Sequence, residues 1–172
     1  AGNETRKYPY GNMYAHVVGF STNGKSGIES NMNFNLLRSH SFVLERMFNE
    51  IKDEKSMGDN VVTTLDSTLQ ETAYQALGNY DGAVVVMEPS TGKVLAMVSK
   101  PDFDPNTIAA DWDSIISEDN NNSVLLNRAT QGLYPPGSTF KIITTLEYIR
   151  ENPDYENYSY SCNGSITEND FT

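Results

Sequence analysis

The sequence predicts a mixed α+β fold, and two kinds of pattern carry this prediction. Apolar runs at residues 82–88 and 93–99 flank a Pro-Ser-Thr-Gly turn, which is typical of an antiparallel β-hairpin. Apolar residues recur at helical spacing at 33–55, 68–77 and 142–150. Because both hairpin runs are apolar at nearly every position, we expect helices to cover both faces of the sheet.

Local signals place most of the other elements. Residues 13–20 are rich in β-branched and aromatic side chains, so a strand is predicted there, and a second short strand is predicted at 61–65. Asp66 can cap the helix at 68–77, and Gly78 can end it. We therefore expect a helix with defined ends just before the hairpin.

Two more helices follow the hairpin. A short one is predicted around Trp112, and it should end in an exposed acidic and asparagine-rich loop at 118–122. The second follows the stretch Tyr-Pro-Pro-Gly-Ser-Thr-Phe-Lys at 134–141, whose two prolines and glycine stiffen the approach. Ser138 is thus predicted at the N-terminus of this helix.

Ser138 and Lys141 form a Ser-x-x-Lys pair that can serve as nucleophile and base. Residues three apart on a helix lie one turn apart on the same face, so the lysine amine can reach the serine hydroxyl. A serine needs a neighbour that accepts its proton, and a lysine can do so when desolvation or nearby positive potential lowers its pKa. The N-terminus of a helix supplies that potential, and its free N–H groups can donate to a developing oxyanion.

Composition excludes several classes of function. The chain has 172 residues and a formal net charge of -11, with no cluster of Lys or Arg to neutralise phosphates, which argues against nucleic-acid binding. The single cysteine, Cys162, allows neither an internal disulfide nor a thiolate metal cluster. His16 and His40 are too few and too far apart for a metal site, so no metal and no cofactor are predicted. No apolar run is long enough to span a bilayer, and the first residues do not form a signal peptide.

An NTPase remains a remote alternative. Residues 19–26 match Gly-x4-Gly-Lys-Ser, the pattern of a phosphate-binding P-loop, and they follow a predicted strand. The context opposes this interpretation, because Gly27 comes directly after the Lys25-Ser26 pair where a P-loop would begin its helix.

Several motifs together resemble penicillin-binding proteins. Leu-Asn-Arg-Ala at 126–129 followed by the 134–141 stretch resembles the active-site entry of that family, in which Ser-x-x-Lys is a known signature. Arg-Lys-Tyr-Pro at 6–9 and Gly-Lys-Ser-Gly-Ile-Glu at 24–29 look like the end of its N-terminal non-catalytic domain, and the loop at 101–106 also matches. The resemblance is to the class B, monofunctional transpeptidase type.

This resemblance implies a domain division and a function. Residues 1–60 would be the end of the pedestal or dimerisation domain, and we expect them to pack apart from the hairpin. Residues 61–172 would be the first part of a transpeptidase domain with the penicillin-binding protein and serine β-lactamase fold. Ser138 would attack the D-Ala-D-Ala bond of a peptidoglycan stem peptide, and β-lactam antibiotics would acylate the same serine.

The resemblance also implies a location and a further partner. The intact protein would lie on the extracytoplasmic face of the bacterial membrane, anchored by an N-terminal transmembrane helix that this chain lacks, and a membrane cell-wall polymerase would be its partner. Two other classes stay open: a penicillin-sensing or β-lactamase-type domain, and a non-catalytic module that docks onto cell-wall polymerases.

The later motifs of the family have no credible match in these residues. Ser161-Cys162-Asn163 fits Ser-x-Asn by letter but lies too close behind Lys141, and the Thr-Gly-Lys at 91–93 is a hairpin turn. We therefore expect a fragment that ends within the domain and has little activity alone. Asn127 and Arg128 could touch substrate, but a polar pair before such a turn more often braces the loop through backbone hydrogen bonds.

Overall fold

The computed structural model describes residues 6–37, 58–117 and 123–165. The chain divides into two compact units, Ala1–Leu133 and Tyr134–Thr172. The strands are β1 (Gly82–Met87) and β2 (Val94–Lys100), and short 3-10 turns occur at Gly11–Tyr14, Gly137–Phe140 and Tyr155–Asn157. The α-helices are α1 (Ala15–Val18), α2 (Gly27–Asn31), α3 (Asn33–Leu37), α4 (Ser67–Leu77), α5 (Ile108–Ile116) and α6 (Lys141–Glu151).

The predicted hairpin and the helix before it are confirmed. β1 and β2 pair antiparallel, with Val84 opposite Val98 and Val86 opposite Ala96. These side chains share one face of the sheet, and α4 packs against it through Ala73 and its neighbours. The Asp66 carboxylate accepts the Leu69 N–H at 2.9 Å, so the predicted N-cap is also present.

The opposite face of the hairpin is covered only in part. Val85 and Met87 of β1 are about half exposed, whereas Ser99 near the end of β2 is buried. The expectation that both faces are covered is therefore wrong for β1 within the described residues. An apolar run indicates that a strand can be buried on both faces. Whether both faces are covered depends on which other elements pack against the sheet.

The short strand predicted at 61–65 is also wrong. Thr64 Oγ1 donates to the carbonyl of Val94 at 2.6 Å, and Asp66 N donates to the carbonyl of Leu95 at 2.8 Å. These bonds attach the segment to β2, but they do not continue as a ladder. The chain turns into α4 instead, because Asp66 begins that helix.

Gln70 of α4 completes the attachment to β2. Its side chain is 0% exposed, and its amide nitrogen donates to the carbonyls of Met13 and Met97, each at 2.8 Å. Its amide oxygen accepts the Met97 N–H at 2.9 Å. One buried side chain therefore joins α4, the outer edge of β2 and the N-terminal segment.

Residues 13–20 form helical turns and not the predicted strand. The 3-10 turn Gly11–Tyr14 leads into α1, and Ala15 and Phe20 pack with Phe103 and Ile108 in a second buried cluster. Burial in this cluster decides the conformation, since β propensity depends on packing and is overridden by tertiary contacts. The expectation that residues 1–60 pack apart from the hairpin is wrong for this segment, because α1 contacts β2.

Some predictions fall outside the described residues. α3 coincides with the start of the helix predicted at 33–55, and residues 38–57 are not described. The loop predicted at 118–122 lies outside the described ranges as well. The short helix around Trp112 is confirmed as α5.

The second unit contains the predicted Ser138 helix. The 3-10 turn Gly137–Phe140 continues directly into α6, which confirms a helical segment that starts at this point. Ile142, Ile143 and Leu146 of α6 are each more than half exposed. None of the residues from 134 to 165 is fully buried.

Candidate active site

Ser138 lies in the first turn of the helical segment, as the sequence predicts. Gly137 precedes it with a φ of +55°, a backbone conformation that glycine adopts without strain. Thr139 closes the turn, because its N–H and its hydroxyl both donate to the carbonyl of Pro136, at 3.2 and 2.5 Å. The proline and glycine of the sequence thus set the point at which the helix begins.

Lys141 is the first residue of α6 and lies three positions after Ser138. Both residues are exposed, and no hydrogen bond joins Ser138 Oγ to Lys141 Nζ among the described residues. The backbone N–H groups of Thr139 and Lys141 already donate within this turn, to the carbonyl of Pro136 and to those of Ser138 and Thr139 respectively. The turn therefore carries the hydroxyl and the amine of the predicted pair, and their roles as nucleophile and base stay predictions.

The segment 126–129 in the first unit is held by hydrogen bonds from two side chains. Asn127 Nδ2 donates to the carbonyl of His16 at 3.2 Å, and its Oδ1 accepts the Ala129 N–H at 3.0 Å. Ser99 Oγ donates to the carbonyl of Leu126 at 3.2 Å and accepts the Arg128 N–H at 2.9 Å. The prediction that this segment is braced through backbone hydrogen bonds is confirmed.

Asp102 lies at the centre of a polar cluster that the sequence analysis missed. Its carboxylate accepts the Tyr74 hydroxyl at 2.7 Å and the Asn12 amide at 2.9 Å. Burial, followed by the contact with Asp102, raises the pKa of Tyr74 well above its ordinary value. Because the partners come from three separate parts of the chain, no local spacing in the sequence could have indicated this cluster.

His16 is buried beside the same loop. Its Nε2 lies 3.1 Å from the carbonyl of Pro101, and its ring meets Phe103 edge to face with centroids 5.2 Å apart. Burial lowers the pKa of His16, against the opposing effects of the Pro101 carbonyl and the Asp102 carboxylate. His16 is thus a buried packing residue.

The P-loop alternative does not fit the geometry. Residues 19–26 follow helix α1 and not a strand, and α2 is only five residues long. Lys25 Nζ donates to the side chain of Asn33. A P-loop needs a strand before the glycines and a helix whose N-terminus faces the phosphates, so the NTPase interpretation is wrong.

The described ranges 6–37, 58–117 and 123–165 hold no group of three or more His, Cys, Asp or Glu side chains that could bind a metal ion. No helix within them is long and apolar enough to cross a membrane.

Comparison with known families identifies the class of protein. Residues 82–170 match the penicillin binding protein transpeptidase domain, and residues 3–61 match the penicillin binding protein A dimerisation domain. The chain belongs to the penicillin-binding proteins with a transpeptidase domain, of class B. The mixed fold is accordingly part of the transpeptidase fold.

Individual relatives agree with this assignment. The chain is 41% identical over 162 residues to the peptidoglycan D,D-transpeptidase PbpA of Mycolicibacterium smegmatis, with 81% of this chain and 31% of that protein covered. It is 33% identical over 177 residues to MrdA of Escherichia coli, also a peptidoglycan D,D-transpeptidase, with 81% and 28% covered. The chain thus spans about a third of the length of these curated relatives.

Solved structures show the same similarity. Penicillin-binding protein A from Mycobacterium tuberculosis, in its imipenem acyl-enzyme complex, superposes with a TM-score of 0.75 at 36% identity, and 86% of this chain and 37% of that one are covered. The D,D-transpeptidase domain of a peptidoglycan glycosyltransferase from Eggerthella lenta superposes with a TM-score of 0.69 at 36% identity, with 84% and 31% covered.

Proposed function

We propose that the protein containing these residues is a serine D,D-transpeptidase of peptidoglycan synthesis. The observation that carries this proposal is the placement of Ser138 in the first turn of a helical segment, with Lys141 three positions later, inside the region that matches the transpeptidase domain. The names of the relatives, peptidoglycan D,D-transpeptidases, support the same activity.

The reaction assigns one role to each residue of the pair. Lys141 accepts the proton of Ser138 as Oγ attacks the carbonyl of the penultimate D-Ala of a stem peptide. The peptide bond breaks, the proton passes to the departing D-Ala, and an ester forms on Ser138. An amine of a second stem peptide then attacks this ester and releases Ser138 with its proton restored. A β-lactam acylates the same oxygen by opening its ring, and acyl-enzyme complexes of the M. tuberculosis relative support this.

Domain organisation and location belong to the same proposal. Residues 1–60 form the end of an N-terminal non-catalytic domain, and 61–172 form the first portion of the transpeptidase domain; the two family matches support this division. The complete protein is held at the extracytoplasmic face of the membrane by a segment outside these residues. It works beside a membrane cell-wall polymerase, since cross-links are useful only where new glycan strands are made.

The test is labelling of the complete protein with a fluorescent penicillin. Ser138→Ala should abolish covalent labelling, and Lys141→Ala should slow it by at least about a hundredfold, since general bases typically contribute about 10²–10⁴-fold. Lys25→Ala is the matched control, because Lys25 bonds only Asn33 among the contacts described and should leave labelling unchanged. Labelling that survives Ser138→Ala would overturn the proposal.

The same labelling experiment distinguishes a transpeptidase from the β-lactamase-type alternative. A transpeptidase holds the acyl group for a long time, whereas a β-lactamase hydrolyses it and turns over. Stoichiometric, persistent labelling supports the transpeptidase, and rapid loss of label with release of hydrolysed penicillin supports the β-lactamase-type domain.

A further inference from the structure

A cleft of about 480 Å³ belongs entirely to the first unit. Its walls come from α1, from the turn at 25–31 and from the segment 125–131, and Met97 and Phe103 line it as well. A volume of this size lies within the range of about 300–1,000 Å³ that is typical of small-molecule sites. The roles proposed for Ser138 and Lys141 make no use of this cleft.

His16 lines the cleft with a hydrogen-bond acceptor that no described group uses. The residue is 9% exposed, and its Nε2 lies 3.1 Å from the carbonyl oxygen of Pro101, which can only accept. Nε2 therefore carries the ring proton. Because burial lowers the pKa of His16, the ring is neutral at about pH 7.5, and Nδ1 is an acceptor without a proton.

The accessibility of Nδ1 follows from its lack of a partner. Every buried side-chain N or O atom in the described parts of the chain has a hydrogen-bond partner. Nδ1 of His16 bonds no other described group, so this atom cannot be fully enclosed. The cleft is the space that His16 lines. A residue that is nine-tenths buried thus offers an unpaired acceptor to a molecule in the cleft.

The rest of the lining is polar and carries little charge. Of the described residues that line the cleft, none is Asp, Glu or Arg. Lys25 is exposed and its Nζ donates to the Asn33 side chain, so solvent and an amide both screen its charge. Four further lining residues have side chains that form no hydrogen bond with another described group: Ser30, Asn31, Thr130 and Gln131. The cleft therefore presents mainly hydroxyl and amide groups.

We propose that this cleft binds a neutral saccharide. Its ligand must bring an O–H or N–H group to Nδ1 of His16 and several small polar groups to the other side chains. A sugar ring carries hydroxyls on most of its carbon atoms, whereas a peptide offers one N–H and one C=O for each residue. Met97 and Phe103 add apolar surface for the C–H faces of the ring. This inference goes beyond the proposed function and does not depend on it.

A ligand hydroxyl that donates to Nδ1 can be observed directly. The complete protein, labelled with ¹⁵N in its histidines, is titrated with N,N′-diacetylchitobiose at about pH 7.5. We expect the Nδ1 signal of His16 to move upfield and to saturate, because an unprotonated imidazole nitrogen shifts in this direction when it accepts a hydrogen bond. The signal is assigned by its absence in His16→Phe.

Two variants and a matched control test the affinity. His16→Phe keeps an aromatic ring beside Phe103 but removes Nδ1, and it should weaken saccharide binding about tenfold. Thr130→Val removes a hydroxyl at nearly constant volume and should weaken binding about threefold. Thr68→Val makes the same change at an exposed threonine of α4 that does not line the cleft, so it should bind as the wild type does. If His16→Phe does not fold, His16→Gln assigns the signal and Thr130→Val carries the comparison.

Three probes define the class of ligand. N,N′-diacetylchitobiose and cellobiose share their ring and linkage, but only the first carries acetamido groups. Their comparison shows whether hydroxyls alone are recognised. N-acetylglycylglycinamide is an uncharged peptide that offers N–H donors without a sugar ring, and we expect it to bind at least about tenfold more weakly than the better disaccharide.

Each outcome supports or overturns the inference. Binding of either disaccharide that shifts Nδ1 and is weakened by Thr130→Val supports it. An unmoved Nδ1 signal with both disaccharides would overturn it, as would equal affinities in Thr130→Val and Thr68→Val. Peptide binding as tight as that of the disaccharides would overturn the assignment to a saccharide. None of these measurements involves Ser138, so the proposed function is tested separately by penicillin labelling.

Discussion

The two units of the chain differ in side-chain burial. The first unit contains buried side chains, and the described part of the second contains none. The first unit contains two buried apolar clusters and a set of side-chain hydrogen bonds that includes those of Gln70, Asp102 and Asn127. No buried side-chain N or O atom in the described parts of the chain lacks a partner. In the second unit, the described residues include the candidate nucleophile but no buried side chain. The residues that hold the fold are thus separate from those proposed to do the chemistry.

The largest effect expected from this contrast is on acylation. We predict that the 172-residue chain reacts with a fluorescent penicillin at least about a hundredfold more slowly than a longer chain that includes Ser-x-Asn and Lys-Thr-Gly segments. Loss of a single oxyanion donor already costs about 10²–10³ in rate. Exposed groups in the first turn of α6 also gain nothing from the low dielectric of a closed site.

Serine-dependent labelling of both chains, each with a Ser138→Ala control, measures this difference. Equal rates in the short and the long chain would mean that the exposed turn suffices for reaction, and the contrast between the units would lose its functional meaning.

Two isoleucines, one in each unit, test how much the difference in side-chain burial contributes to stability. Ile108 is 1% exposed in the first unit and Ile142 is 64% exposed in the second. Ile108→Ala should lower the free energy of unfolding by about 2–5 kcal/mol, since it removes buried methylenes and leaves a cavity. Ile142→Ala should change it by less than about 0.5 kcal/mol. Urea unfolding of the 172-residue chain provides both values, and similar losses would contradict the difference in burial.

Two glutamines on α4 test how much the buried side-chain hydrogen bonds contribute to the stability of the first unit. Gln70→Ala strands the N–H and carbonyl of Met97 and the carbonyl of Met13, and a buried group left unsatisfied costs about 1–3 kcal/mol. We expect a total loss of at least about 2 kcal/mol in the free energy of unfolding.

The control for Gln70 is on the same helix. Gln75 is exposed and bonds the Glu71 side chain at 3.2 Å, so Gln75→Ala should cost less than about 0.5 kcal/mol. Equal effects of the two substitutions in urea unfolding would show that the buried amide is not a special support of the first unit.

The smallest expected effect is on pH dependence. Burial lowers the pKa of folded His16 below its ordinary value of 6.5, so the unfolded chain binds a proton that the folded chain does not. The free energy of unfolding should therefore fall as the pH drops from about 7.5 to about 5.5. In His16→Gln this fall should be smaller. His40 is present in both proteins, so the difference between the two curves reports His16, and parallel curves would contradict the shift.

The elements that the sequence predicted correctly are those with strong local signals. The α4 cap at Asp66, the hairpin turn and the Pro-Pro-Gly entry to the Ser138 turn all depend on residues adjacent in sequence. Residues 13–20 were mispredicted because their β-branched composition is typical of a strand, while contacts with Phe103 and Ile108 far along the chain decide their conformation.

The polar supports could be predicted only in part. Gln70 was not singled out from the sequence, although it lies three residues before the buried Ala73 and seven before Leu77, a spacing that puts it on the packed face of α4. Its partners on Met13 and Met97 could not be found this way, because they are backbone groups of distant elements. For Ser138 and Lys141 the spacing was evident from the sequence. The catalytic role of the pair stays a prediction.

The bonds along β2 also decide how the sheet can grow. The outer edge of a strand is a template for another strand, and proteins that leave it open risk edge-to-edge aggregation. Here the Leu95 carbonyl is taken by Asp66 N, and both backbone groups of Met97 are taken by Gln70. An additional strand therefore cannot pair with the outer edge of β2. This two-stranded sheet can be extended only by a strand that pairs with β1.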